Sequence, residues 1–289
     1  MPELPEVETI VRDLKTKLKG KKITNFTSDR PRQLNLSVAS FAKKIAGSNF
    51  INVRRRAKII ILDLNIGQSI LIHLKMTGQL IMRDRSGKYS GGGHPIDHYL
   101  KELPNKFTHA IWHLQGGQQL FFNDIRMFGY IKLVPTKELP ELFNKMKLGP
   151  EPLSPLFNLA MFKTLLERKK IAKIKPLLME QSFIAGIGNI YADEVCYYAK
   201  VKPTRIVGFL KDEEIKKLYL GIKEILPQAI ESRGTSADTY VDSDGQKGNY
   251  ETQLKVYGRK KEKCLKCQTP LKSMKLRGRT TVFCPKCQA

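Results

Sequence analysis

Four cysteines restrict the possible folds of this chain more than any other feature. They lie in its last 26 residues as two knuckles, CLKC (Cys264, Cys267) and CPKC (Cys284, Cys287), separated by sixteen residues. Each knuckle can turn two thiolates to one side, and this spacing is that of a four-thiolate zinc site. A segment so short cannot bury a core of its own, so one zinc ion held by Cys264, Cys267, Cys284 and Cys287 would replace it. The intervening QTPLKSMKLRGRTTVF reads as a β-hairpin joining the knuckles. Disulfides are the alternative. No signal peptide or membrane-spanning run is legible, so a cytosolic setting is expected, in which paired thiols favour metal. The fifth cysteine, Cys196, falls in an apolar helical stretch and reads as core.

The charge narrows the partner. Fifty-one Lys and Arg stand against 27 Asp and Glu, a net charge of +24. Such an excess points to a polyanion, because each cation set beside a phosphate releases a condensed counterion. A generally basic composition would explain the charge without a partner. An anionic membrane is the other candidate surface, but there is no lipidation motif and no long basic amphipathic helix. Nucleic acid is therefore the expected partner. Lys272, Lys275, Arg277 and Arg279 crowd the hairpin between the knuckles, so that finger is expected to press on phosphate.

Periodicity divides the remainder. PELPEVETIVRDLKTKLKG carries Val7, Ile10, Val11, Leu14 and Leu18 at helical spacing, with Pro5 in the first turn and Gly20 beyond the end. Its apolar face should pack down and hold residues 1–4 in one place. Residues 23–135 read as strands: KIIILDL and SILIHL around NIGQ, and HAIWHL and QLFFND around QGGQ, have hairpin spacing. KYSGGGHPIDH reads as a long flexible loop. An antiparallel sandwich or flattened barrel is the economical architecture. The proline-rich VPTKELPELFNKMKLGPEPLSP marks a boundary. Beyond it LFNLAMFKTLLERKK, KPLLMEQSFIAG, IYADEVCYYAK and DEEIKKLYLGIKEILPQAI read as helices. GIGN, between the second and third, could seat a phosphate on the free amides of the next helix or could be a plain turn. His94 and His98 sit in a segment unsuited to a helix, so they do not suggest a metal pair. His109 and His113 read as structural or solvent-facing, which leaves His73, beside LKMTG, as the histidine of interest.

PELPEVET, GIGNIYADE and the cysteine finger then coincide with RRRAKIIILDL, HLKMTG, NDIRMFG, LGPEPL, LKVYGR and GRTTVFCPKCQ in one order. The ordered set resembles the formamidopyrimidine-DNA glycosylases, base-excision repair enzymes for oxidised purines, over essentially the whole chain. The resemblance implies an α+β multidomain fold. Residues 1–135 would form an antiparallel β-sandwich with a leading helix, 136–234 a helix–two-turn–helix domain, and 235–289 a lesion-capping loop and zinc finger. It implies a monomer acting on double-stranded DNA that contains oxidised purines or abasic sites.

The resemblance also implies roles. Pro2, freed of Met1, would be the nucleophile, and its secondary α-amine titrates low enough to be free base near neutrality. Attack on C1′ would displace the damaged base and leave an iminium, after which β,δ-elimination would cut the strand. Glu3 would be the acid/base, and Glu6 would support the site. An extruded base leaves a hole, which Met76, Arg126 and Phe128 would fill. Lys58, Asn189 and Arg279 would bind the surrounding phosphates, and RGTSADTYVDSDGQKGNY would close over the purine. Three positions depart from the family pattern: NDIRMFG has Ile125 and Met127 where a proline and a second arginine are usual, and Lys75 stands where glycine is common. An endonuclease VIII-like enzyme for oxidised pyrimidines would share the chemistry. A non-catalytic zinc-containing DNA-binding protein would share the charge and finger but not the N-terminal pattern.

Overall fold

Helix α1 spans Leu4–Leu18, and its buried stripe of Leu4, Val7, Ile10, Val11, Leu14 and Leu18 is the one the 3.6-residue period predicts. Pro5 lies in the first turn, and Gly20 follows the last turn at φ +80, a conformation only glycine adopts freely. In this computed structural model, residues 1–93, 103–235 and 249–289 are described. They form two units, Met1–Lys145 with Ser232–Asn249 and Met146–Glu231 with Tyr250–Ala289.

The first unit is a sandwich of two antiparallel sheets. Strands β1 (Ile23–Ser28), β5 (Gly78–Arg83), β6 (Tyr89–Gly93), β7 (Thr108–Leu114) and β8 (Gln119–Asp124) form one sheet in the order β1-β7-β8-β5-β6. Strands β2 (Phe50–Arg56), β3 (Ile59–Leu64), β4 (Gln68–His73) and β9 (Tyr130–Pro135) form the other in the order β2-β3-β4-β9. Ile60, Leu62, Ile70, Ile72, Leu80, Trp112, Leu120 and Phe122 meet the apolar stripe of α1 in one core. All six residues of β3 are buried, which is why KIIILDL reads as a continuous apolar run instead of an alternating one.

Two elements of this unit depart from the sequence reading. Val38–Ile45 is a helix, α2, in a region read as strands. Ser37 caps it by accepting a hydrogen bond from the Ser40 amide, and it buries Phe41 and Ile45. Tyr89–Gly93, read as loop from its glycines, is the edge strand β6, paired with β5. Glycine is required there: Gly93 has φ +137, and a Cβ would come within 2.5 Å of the Gly78 carbonyl oxygen. His94, His98 and the centre of the predicted capping segment, 236–248, lie outside the described residues.

The second unit is helical, with the finger at its end. After α3 (Leu139–Lys145), which closes the first unit's leading segment, come α4 (Leu159–Glu167), α5 (Ile174–Leu178), α6 (Asn189–Tyr198) and α7 (Asp212–Glu231). Phe157, Phe162, Phe183 and Tyr219 pack ring to ring between these helices. Gly221 of α7 lets α6 approach, since a Cβ there would lie 2.9 Å from the Tyr198 ring. KPLLMEQSFIAG is helical only as far as Leu178. Beyond it the Gln181 side chain donates to the Met179 and Ile187 carbonyls and accepts from the Gly186 amide, so a side chain satisfies backbone groups that a helix would have paired. Strands β10 (Lys272–Leu276) and β11 (Arg279–Phe283) form the expected hairpin. Its two-residue turn has positive φ at both Arg277 (+44) and Gly278 (+74), the twist that tight hairpins favour. Among the described residues no helix is long and apolar enough to cross a membrane.

Candidate functional site

The N-terminal residues are held, as the helical stripe predicts. Pro2, Glu3 and Glu6 are buried, and α1 packs on β2, β3 and the glycine-rich β6. The Glu6 carboxylate accepts from the Glu3 amide at 2.8 Å, the return half of a capping box. Its other oxygen accepts from the Thr235 amide at 2.9 Å. One carboxylate therefore ties the head of α1 to the base of segment 233–250, where Thr235 pairs with Asn249. Arg233 reinforces this with an ion pair to Asp13 of α1 at 2.7 Å.

Lys58 lies at the β2–β3 turn, after Ala57 at φ +54, and is buried. Its charge reaches His73 at the end of β4. Desolvation, then Lys75, then Lys58 push that imidazole down to a pKa of about 3. His73 is therefore neutral near pH 7, and its Nδ1 accepts from the Lys75 amide at 3.0 Å, which places the ring proton on Nε2. Lys75 has φ +50, the left-handed region that favours glycine. The chain thus keeps glycine-type geometry beside Met76 despite carrying lysine, with the histidine holding the strained amide.

Met76 and the segment Ile125–Phe128 are bolted together by a buried carboxylate. Asp124, wholly buried, accepts from the Thr77 hydroxyl at 2.5 Å, the Gly129 amide at 2.7 Å and the Gln33 side chain at 3.4 Å. Thr77 in turn accepts from the Arg126 amide at 3.0 Å. On this rigid base Ile125, Met127 and Phe128 are exposed, the last to 56%, and the Arg126 guanidinium lies 4.7 Å from the Phe128 ring centroid. Large apolar side chains on a fixed loop, with a cation stacked among them, suit insertion between bases. Met127, where the family pattern has arginine, adds apolar surface to the tip in place of charge.

In the second unit α6 carries three polar anchors. Asn189 opens the helix behind Gly188 and donates to the Thr280 carbonyl at 3.1 Å. Asp193 pairs with Lys175 at 2.8 Å, both fully buried, and accepts from the Val282 amide. Burial pushes its carboxyl up to about 7, against the pull of Lys175. Glu194 accepts from the amides of Lys255, Val256 and Tyr257, each at 2.9 Å, fixing the chain that leads into the finger. Arg279, at the start of β11, is exposed.

The four finger sulfurs lie within 4.8 Å of one another, with Cys264–Cys287 at 3.9 Å and Cys267–Cys284 at 3.4 Å. Thiolates about 2.3 Å from a tetrahedral zinc would be about 3.8 Å apart, so the cluster fits that ion. The Tyr197 hydroxyl lies 3.3 Å from the Cys264 sulfur, a partner from outside the ligand set. Cys196 is buried core, as read, and His109 is buried between Asp29 and the Asp124 carbonyl. Asp124, Thr77, Lys175 and Asp193 were not singled out from the sequence. Asp124 and Asp193 lie inside quoted motifs, but nothing local marks a carboxylate as buried.

Three family models match the chain: the formamidopyrimidine-DNA glycosylase N-terminal domain at residues 1–131, the formamidopyrimidine-DNA glycosylase H2TH domain at 148–241, and a zinc finger found in FPG and IleRS at 261–289. With the last match, the cysteine cluster is the site of one structural zinc. Formamidopyrimidine-DNA glycosylase of Pelotomaculum thermopropionicum is 41% identical over 289 residues, covering 100% of this chain and 99% of that one. The Listeria monocytogenes protein of the same name is 38% identical, with 100% of each chain covered. Among solved structures, Lactococcus lactis Fpg in complex with abasic-site DNA superposes with a TM-score of 0.88 at 33% identity, covering 99% of each chain. A MutM complex with DNA containing carbocyclic 8-oxo-G gives a TM-score of 0.87 at 33% identity, also over 99% of each.

Proposed function

Given that the chain belongs to the formamidopyrimidine-DNA glycosylase family, we propose that it excises oxidised purines, 8-oxoguanine and formamidopyrimidines, from duplex DNA and then cleaves the abasic strand. The cytosol is its proposed place of action, as a monomer. The observation that carries this reading is the N-terminal segment, where Pro2, Glu3 and Glu6 are buried together and Glu6 clamps the Glu3 amide at 2.8 Å. A reactive terminus needs such fixation, because a displacement reaction is fast only when the nucleophile is pre-aimed.

The lesion nucleotide is extruded, and Met76, Arg126 and Phe128 fill the gap, supported by the Asp124–Thr77 bolt. The terminal amine of Pro2, exposed once Met1 is removed, attacks C1′ and the base leaves with the electrons of the glycosidic bond. The attacking nitrogen gives up its proton to the departing base, Glu3 protonates the sugar ring oxygen, and nitrogen lone-pair donation breaks the C1′–O4′ bond to give the iminium. The iminium acidifies C2′. Loss of that proton expels the 3′ phosphate, and a second elimination expels the 5′ phosphate. Lys58, Asn189 and Arg279 hold the phosphates flanking the extruded sugar, and the domain limits 1–135, 136–234 and 235–289 are proposed with these roles. Cys264, Cys267, Cys284 and Cys287 would hold the zinc, which would fix the end of the finger strand that bears Arg279.

Borohydride reduction tests the reading. An 8-oxoguanine duplex should trap the protein covalently, and a duplex with an oxidised pyrimidine should trap it less. A form retaining Met1 should bind the same DNA yet neither trap nor cut. Cutting by the blocked form would remove Pro2 as the nucleophile.

A further inference from the structure

One wholly buried ion pair lies outside the proposed chemistry. Lys175 of α5 and Asp193 of α6 are both wholly buried, 2.8 Å apart. Besides this ion pair, the Lys175 ammonium donates to the Thr281 hydroxyl at 2.6 Å and to the Thr280 carbonyl at 3.3 Å. The second oxygen of Asp193 accepts from the Val282 amide at 3.2 Å. Three consecutive residues of β11 are therefore gripped by one ion pair. The Thr280 carbonyl is shared, for it also accepts from the Asn189 side chain at 3.1 Å. Asn189 and Asp193 stand one helical turn apart, on the same face of α6. Arg279 immediately precedes Thr280 and lines a cleft together with Lys175, Pro176, Met179 and Leu276.

Such a pair is poorly explained by stability alone. Taking both ions out of water costs several kcal/mol, and apolar residues of similar size often serve a fold equally well. Burial pushes the Asp193 carboxyl up to about 7, in keeping with that cost. What the pair supplies, and apolar packing does not, is a fixed register of β11 on α6. A further link from the hairpin, Arg277 at its turn to Glu180 just beyond α5, is exposed on the arginine side and cannot set that register strongly.

We propose that the Lys175–Asp193 pair is a positioning device that locks β11 to the start of α6, so that Asn189 and Arg279 grip the DNA backbone as one unit. The proposal rests on the reading of those two residues as phosphate contacts. Neither Lys175 nor Asp193 touches DNA; both act through the Thr280–Val282 backbone.

A double-mutant cycle on the full zinc-loaded chain tests this, with an abasic-analogue duplex as the binding probe. The apolar pair Lys175→Met with Asp193→Leu keeps the volume without burying a lone charge, and zinc content and thermal midpoint report its folding. Weaker binding of about tenfold is expected, with the single-turnover rate at saturating DNA little changed. In the wild-type background Arg279→Ala should cost about tenfold, and in the apolar background less than about twofold more. Thr281→Val, which removes one grip and no charge, should show the same non-additivity on a smaller scale and stands in if the apolar pair does not fold. Full additivity of Arg279→Ala in both backgrounds would overturn the proposal. An Arg279→Ala with unchanged affinity in the wild-type background would overturn the phosphate-contact reading itself, and the positioning role with it.

Discussion

Replacing Asp124 with alanine should unseat the wedge loop and destabilise the first unit together. The carboxylate serves three donors, but not all three would be stranded. Gln33 keeps the Gly129 carbonyl at 3.1 Å, but Thr77 only accepts from the Arg126 amide at 3.0 Å, so its own hydroxyl proton loses its acceptor. The Gly129 amide has no such second acceptor among the described bonds, and it is buried. An orphaned buried donor costs about 1–3 kcal/mol, less for a hydroxyl free to turn, and the two of them with a small cavity bring the total to about 2–4 kcal/mol. Asparagine can present its oxygen to Gly129 and Gln33 and its amide to the Thr77 oxygen, so Asp124→Asn should cost only about 1 kcal/mol. Trp112, the chain's one tryptophan, is wholly buried in this unit's core and reports its unfolding by fluorescence. At about 2–4 °C per kcal/mol for a unit of this size, alanine should lower the midpoint by about 4–16 °C and asparagine by about 2–4 °C. Hydrogen exchange at the Gly129 amide should accelerate in step. An alanine midpoint within about 2 °C of the parent, or equal to that of asparagine, would refute the reasoning.

His73 makes the same unit acid-sensitive. Its pKa falls from 6.5 to about 3 on folding, so only the unfolded chain takes up this proton between those values. The stability it contributes is present above about pH 6.5 and is lost as the pH falls toward 3, on a scale of up to about 5 kcal/mol. His73→Asn, which can still accept from the Lys75 amide, should flatten that acid branch in Trp112 fluorescence; an unchanged slope would exclude His73 as its source. Lys75→Gly should leave the midpoint within about 2 °C, because glycine suits φ +50, whereas Lys75→Val should cost about 1 kcal/mol or more. Zinc removal by a chelator should unpair β10 and β11 and abolish DNA binding while the Trp112 transition stays put, with both losses restored by one zinc per chain. Retention of the hairpin amide protection without metal would refute that role for the ion.

Knuckle spacing made the zinc legible, net charge the polyanionic partner, and the resemblance carried by ordered motifs the family. Such features are local: knuckle spacing, an N-terminal helical stripe and hairpin punctuation are each written within a few dozen residues. The sequence also marked the positions of Met76, Arg126 and Phe128, and it marked Lys75 as a departure. It misjudged Tyr89–Gly93, because glycine-rich segments read as loop until a neighbouring strand supplies the pairing and the crowding that glycine relieves. It overextended the helix of KPLLMEQSFIAG, because the Gln181 side chain competes with the helical ladder only when the turn it caps is formed.

Tertiary structure alone decided which polar groups matter as supports. Asp124 bonds Thr77, 47 residues away, and Lys175 bonds Thr281, 106 residues away. Burial and partnership at such separations have no period and no local composition, so no reading along the chain can find them. The sequence by itself determined what chemistry the chain carries and roughly where. The fold decided which backbone each reactive or inserting group stands on, because a hydrogen bond's worth depends on the water that packing has removed.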